Sequence, residues 1–190
     1  SDFDPKGKSD NEVMRFCQAF VGELFRHIGA STDIPAGDIG VGSREIGFMT
    51  GMMKKLTNRG DCVFTGKGLS YGGSPIRPES TGYGVVYFVT EMLKTRHRTL
   101  DGMRVGISGS GNVAQHAAAK AMALGARVVT LSDSGGTVVD DAGLTPDKLA
   151  LLMDIKNRQL GRISDYAAQT GSRFEAGRRP WHVPLDIALP

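Results

Sequence analysis

Between Arg104 and Gly136 the chain reads RVGISGSGNVAQHAAAKAMALGARVVTLSDSGG, and no other stretch restricts its fold so strongly. Val105 and Ile107 belong to a short apolar run that reads as a buried strand, broken at Gly109-Ser110-Gly111. Asn112 to Leu124 places Ala and Met at helical spacing, and Arg127 to Leu131 is a second β-branched run. Strand, glycine turn, helix, strand is the context that a dinucleotide fingerprint requires. In this reading Gly109 permits the tight turn, Gly111 lets a pyrophosphate approach bare backbone, and Ala114 lets the helix lie close to the strand. The free N–H groups at the helix start, Asn112 and Val113 included, face the phosphates together with the positive end of the helix dipole. Asp133 lies 24 residues beyond Gly109, near the place of an acidic residue that reads a ribose. The competing reading is a glycine turn that serves folding alone; the flanking strands and the placed aspartate weigh against it.

Composition excludes several other classes. The 190 residues are 40% hydrophobic and 23% charged, which is ordinary for a soluble globular protein. The formal charge of +3 is mild. Lys94 to Arg98 and Arg178-Arg179 are locally basic but lack interleaved aromatics, so solvated faces are expected there and no nucleic-acid partner. Cys17 and Cys62 are too few and too far apart for a disulfide scaffold or a zinc site, and no metal is expected. Cys17 falls on the apolar stripe of a helix, where packing explains it. No apolar run approaches membrane length and the first residues form no signal peptide, so the expected compartment is the reducing cytoplasm.

The organisation changes near residue 70. Ser9 to Gly29 reads as one amphipathic helix, with Ser9 and Glu12 spaced as a capping box. Val13, Phe16, Cys17, Phe20, Val21, Leu24 and Ile28 form its inward stripe. The glycine-rich loop TDIPAGDIGVG precedes a second helix, Ser43 to Leu56, with Ile46, Met49, Met53 and Leu56 inward. The stretch DCVFTGKGLSYGGSPIRPES looks like a connector between two units. A helix is expected from Glu79 to about Lys94. Thr145-Pro146 starts another in the usual N-cap and N1 manner, running through Lys156 toward a break at Gly161. The terminal VPLDIALP reads as a further strand of the same sheet.

Within the TDIPAGDIGVG loop, Asp38 is bracketed by Gly37, Gly40 and Gly42. An aspartate there is more often a turn residue bonding its own backbone. The alternative is a carboxylate that moves protons where glycines let a small substrate approach; the residues alone favour the turn. The cofactor question is similarly open. An acid at the end of the second strand favours NAD, because it accepts hydrogen bonds from the ribose 2′-OH. Against that, Ser132 and Ser134 offer hydroxyls to a phosphate and Gly135-Gly136 leaves room for one. Lys156 and Arg158 on the following helix supply positive charge.

SDFDP, PAGDIGVGSREIGFM, GKGLSYGGSPIRPESTGYG and GSGNVA together resemble the hexameric glutamate dehydrogenases, most closely the bacterial NADP-linked type. The resemblance runs through essentially the whole chain; Ser43 and Ser80 stand where glycine and alanine are usual. It implies an α/β fold, with residues 1–70 part of a substrate-binding and assembly domain and 71–190 most of a Rossmann-type dinucleotide-binding domain. A cleft between them would hold the nicotinamide. It also implies that this is the middle of a longer enzyme, since the family's catalytic lysine and substrate-binding lysines lie upstream of SDFDP. By the same resemblance Asp38 is the catalytic aspartate and Gly37 a backbone contact to substrate. Thr81 and Asn112 hold the nicotinamide end. NADP-linked members share the Ser132-Asp133-Ser134 triplet and a lysine matching Lys156, so NADP is expected over NAD. The implied reaction is the reversible deamination of L-glutamate to 2-oxoglutarate and ammonium by a homo-oligomer, a hexamer at full length. A leucine- or phenylalanine-type dehydrogenase and an inactive dinucleotide-binding fragment are the alternatives.

Overall fold

The structure, a computed structural model, describes residues 2–61, 63–75 and 78–190; Cys62 therefore lies outside the described residues. The chain divides into two compact units, the first reaching residue 76 and the second beginning at residue 77.

The first unit is built on α1 (Asp10–Leu24) and α2 (Ser43–Thr57). Ser9 caps α1 reciprocally with Glu12: the Ser9 N–H donates to the Glu12 carboxylate at 2.8 Å, and the Glu12 N–H donates back to Ser9 Oγ at 3.4 Å. At α2 the N–H of Gly42 donates to Glu45 at 2.8 Å, and Asn58 ends the helix in the left-handed conformation at φ 53°. The buried seam is narrow. Val13, Cys17 and Val21 meet Ile46, Met49 and Met53, closed by Val63 and Phe64. Two of the expected inward residues, Phe20 and Leu56, are instead exposed (47% and 38%). A helix packed against a single neighbour buries an i, i+4, i+8 line, and residues one step round the cylinder stay at the edge. Phe20 is also part of a surface ladder of rings with Phe16, which stacks on Phe3 at 4.1 Å. The stretch expected to be a connector starts inside this core, because Val63, Phe64 and Lys67 are buried.

The second unit carries a five-stranded sheet in the order β4-β3-β2-β1-β5. Its strands are β1 (Arg104–Ile107), β2 (Arg127–Asp133), β3 (Gly136–Val139), β4 (Arg173–Ala176) and β5 (Ile187–Leu189). β1 pairs in parallel with β2 and β5, whereas β3 runs antiparallel to both β2 and β4. The helices are α3 (Ser80–Lys94), α4 (Asn112–Ala123), α5 (Pro146–Met153) and α6 (Ile163–Thr170). β2 is covered on both faces, which is why its residues from Val128 to Ser132 are all buried and Val128, Val129 and Leu131 do not alternate with exposed residues. One layer of the core holds Val128, Leu131, Leu152, Ile155, Ile163 and Tyr166, all essentially inaccessible. Each such aliphatic side chain contributes roughly 1.5–3 kcal/mol on leaving water.

α4 lies close to the sheet because its buried line is Ala114, Ala117, Ala118 and Ala121. α3 lies close to α4 because of Gly82, where a Cβ would fall 2.6 Å from the Ala117 nitrogen and the Val113 oxygen. The N-cap of α5 forms as the sequence predicts, with Thr145 accepting from the Lys148 N–H. The helix does not run on through Lys156 as expected. It stops at Met153 and widens into a π-turn over Asp154–Arg158, after which α6 begins.

Candidate functional site

The glycine turn has the geometry its sequence demands. Gly109 sits at φ 92°, a left-handed position that disfavours any side chain. A Cβ on Gly111 would have nothing within 4 Å, so the backbone there faces open space. Gly111 is also the N-cap of α4 and makes no side-chain cap, leaving the first-turn N–H groups to a ligand. From behind, Ser132 is buried and its hydroxyl accepts the Gly109 N–H at 3.0 Å, while the Ser132 N–H donates to Gly109 O at 3.1 Å. Ser132 therefore braces the turn. These features fit an anion such as a pyrophosphate.

Thr81 and Asn112 stand at the starts of α3 and α4, on exposed positions of two helices held together at Gly82. Asn112 Nδ2 donates to Pro78 O at 2.7 Å and ties the entry of α3 to the glycine turn. Val113 is exposed beside it.

At the far end of β2 the chain turns back at once. Asp133 pairs with Gly136 across a two-residue hairpin, Ser134-Gly135. The glycine pair that looked like room for a phosphate thus makes the reversal into β3. Asp133 is 11% exposed. Its Oδ1 accepts the Gly135 N–H at 2.7 Å and its Oδ2 accepts the Ile163 N–H at 3.1 Å, at the start of α6. Two cations ring it: Lys156 Nζ at 4.0 Å and the Arg162 guanidinium at 3.9 Å. Lys156 also donates to Gly161 O at 2.9 Å, and Arg162 reaches the exposed hydroxyl of Ser134 at 3.5 Å. Burial pushes the Lys156 ammonium below the usual lysine range, with Asp133 pulling the other way. Arg158, expected to add charge here, points elsewhere: it is exposed and pairs with Asp154 at 2.7 Å. The π-turn sends it outward. Arg162 takes its place and was not singled out by sequence. Its one signal is Asp165 three residues on, whose carboxylate accepts the Arg162 N–H at 2.7 Å as an N3 acid does at a helix start.

In the first unit Asp38 is exposed, in a turn closed by the Val41 N–H donating to Asp38 O at 2.8 Å. Its Oδ1 accepts the N–H of Ile39 at 2.7 Å. Gly40 has φ 76°, and a Cβ on Gly37 would lie 2.5 Å from Val41 O. Both glycines are required by the turn itself. Thr65 N–H to Pro35 O, at 3.0 Å, anchors the loop to the segment after Phe64.

Among the described residues no group of three His, Cys, Asp or Glu is placed to hold a metal, and no helix is long and apolar enough to cross a membrane. Cys17 is free and buried, and burial raises its thiol pKa.

Comparison with known proteins supplies the remaining findings. Residues 72–190 match the family described as glutamate/leucine/phenylalanine/valine dehydrogenase, and residues 1–55 match the dimerisation domain of the same group. The chain is 66% identical over its full length to an NADP-specific glutamate dehydrogenase of Salmonella typhimurium, and it spans 42% of that relative. It superposes on the crystal structure of Plasmodium falciparum glutamate dehydrogenase with a TM-score of 0.84 and 48% identity, covering 98% of this chain and 40% of that one. A hetero-hexameric glutamate dehydrogenase from Thermus thermophilus in a leucine-bound form gives a TM-score of 0.74 at 26% identity, covering 97% and 42%.

Proposed function

The chain belongs to the glutamate/leucine/phenylalanine/valine dehydrogenase family, and we propose that it is the central part of an NADP-linked glutamate dehydrogenase. The reaction is the reversible oxidative deamination of L-glutamate to 2-oxoglutarate and ammonium, in a homo-oligomer that is a hexamer at full length, in the cytoplasm. The observation that carries this reading is the 66% identity along the whole of this chain to an NADP-specific enzyme, joined to a phosphate-ready turn and a cation pair at the C-terminal ends of the interior strands β1 and β2.

In this reading the uncapped start of α4, with Gly109, Gly111, Asn112 and Val113, holds the pyrophosphate. Thr81 and Asn112 orient the nicotinamide end. Lys156, Arg162 and Ser134 meet the 2′-phosphate, the guanidinium giving a charge-assisted contact and the ammonium a point charge. The bound nicotinamide supplies or accepts the hydride, and the protein fixes its approach. Asp38 passes protons to and from the substrate nitrogen, which is general acid–base work worth about 10²–10⁴-fold in rate. Gly37 offers its backbone to the substrate. The dimerisation-domain match over residues 1–55 supports self-association, and the hetero-hexameric relative supports six subunits.

The test uses an enzyme of the relatives' full length that carries this sequence. NADPH oxidation should require both 2-oxoglutarate and ammonium and outpace NADH oxidation. Turnover of branched or aromatic 2-oxo acids in place of 2-oxoglutarate would make it a leucine- or phenylalanine-type enzyme. A preference for NADH would end the NADP assignment.

A further inference from the structure

We propose that Asp133 does not read the cofactor ribose: it is a positioning residue that holds Lys156, Arg162 and the start of α6 in place to receive a 2′-phosphate. This deepens the cofactor reading above and rests on it. The usual rule makes an acid at the end of the second strand an acceptor for the ribose 2′-OH, hence a repellent of a 2′-phosphate. Here both oxygens of that carboxylate already accept backbone N–H groups. One oxygen closes the hairpin on the Gly135 N–H and the other receives the Ile163 N–H across 30 residues of sequence. The group is 11% exposed and has a cation on each side, at 3.9 and 4.0 Å.

Geometry explains why this is a support rather than a lock. At about 4 Å neither cation makes a short hydrogen-bonded pair with Asp133, so both keep donors for another anion. Ser134, the hydroxyl next in sequence, already lies 3.5 Å from the Arg162 guanidinium. Lys156 and Arg162 leave the π-turn and the loop after it, which include Leu160 at φ 55° and Gly161 wedged against Ile155. An irregular segment of this kind needs a fixed point. The bond from Ile163 N–H to Asp133 ties its end to the sheet.

The two roles predict opposite signs. If Asp133 only repelled the phosphate, Asp133→Asn would tighten 2′,5′-ADP binding, because a negative charge is lost. If it read the ribose, Asp133→Asn would weaken 5′-AMP. As a positioning residue it does neither. Calorimetric titration of the full-length enzyme carrying this sequence should show 2′,5′-ADP weakened at least about tenfold in Asp133→Asn, with 5′-AMP nearly unchanged, and amide exchange at Ile163 accelerated. In a Lys156→Ala/Arg162→Ala background the further loss on Asp133→Asn should vanish, as coupling through those cations requires. A second measurement needs no variant: the wild-type full-length enzyme should bind 5′-AMP and 2′-deoxy-AMP equally, and 2′,5′-ADP more tightly than either. A preference for 5′-AMP over its deoxy form, or tighter 2′,5′-ADP binding in Asp133→Asn, overturns the proposal while leaving the cofactor reading intact. No binding of any of the three overturns both.

Discussion

In the second unit Asp133 is nearly buried and bonds backbone N–H groups from two different elements, whereas Asp38 in the first unit is exposed and bonds the N–H of its own neighbour. Both are aspartates beside glycines; Asp133 stands where an acid reads a ribose, whereas the residues around Asp38 favour a turn and only the family resemblance makes it a candidate to touch a ligand. The difference lies in what surrounds them. Asp133 ends a central strand, so the sheet, a hairpin and a helix start all converge on it. Asp38 sits in a loop whose glycines shape one local turn. A carboxylate whose hydrogen bonds are all structural has little left for chemistry. One held by a single local bond keeps the capacity to take and give a proton.

Four substitutions press on this contrast. The largest effect belongs to Asp38→Asn in the full-length enzyme. Turnover should fall at least about 10²-fold while cofactor affinity stays the same, since an amide cannot accept the proton. Near-normal turnover would return Asp38 to the turn-residue role and erase the contrast. Next is Lys156→Ala, which should raise KM for NADPH about 10- to 100-fold, the worth of a charge-assisted contact of roughly 1.5–3 kcal/mol. KM for NADH should hardly move, and equal losses for both cofactors would make Lys156 structural.

Gly111→Ala comes third and separates binding from folding. Because no atom lies within 4 Å of the added methyl, the melting temperature should stay within a degree or two of wild type. Cofactor KM should nevertheless rise by about tenfold, as the methyl stands where a pyrophosphate would approach. Unchanged KM would remove the pyrophosphate from this turn. The smallest effect is on the loop behind Asp133. Leu160 is 62% exposed and held at φ 55°, so Leu160→Gly relieves a strain of about 1–2 kcal/mol. Part of that is offset by the greater chain entropy of glycine in the unfolded state. A net gain of up to about 1 kcal/mol in chemical denaturation is expected, and a loss would show that the Leu160 side chain holds the cation loop in place.

Some of this was legible in the residues because it depends on neighbours in sequence. The glycine turn, the Ala-lined α4, the capping box at Ser9 and the Thr145-Pro146 helix start are local devices. Their geometry follows from φ preferences, side-chain size and hydrogen bonds spanning three or four residues. Even the short β5, read as a further strand of the same sheet, announces itself by an apolar run, although its parallel pairing with β1 is seen only in the fold. Sequence patterns alone also brought Asp133 and Lys156 into one hypothesis. Only the tertiary structure decided which groups those two face. The pairing of β3 with β4 and the place of Arg162 beside Asp133 depend on partners 28 or more residues apart, which no local spacing encodes, and the π-turn replaces the regular helix that the spacing predicted through Lys156. Which N–H groups the fold carries to a carboxylate sets its role, and for Asp133 the local Gly135 N–H is joined by that of Ile163, 30 residues away at the start of α6.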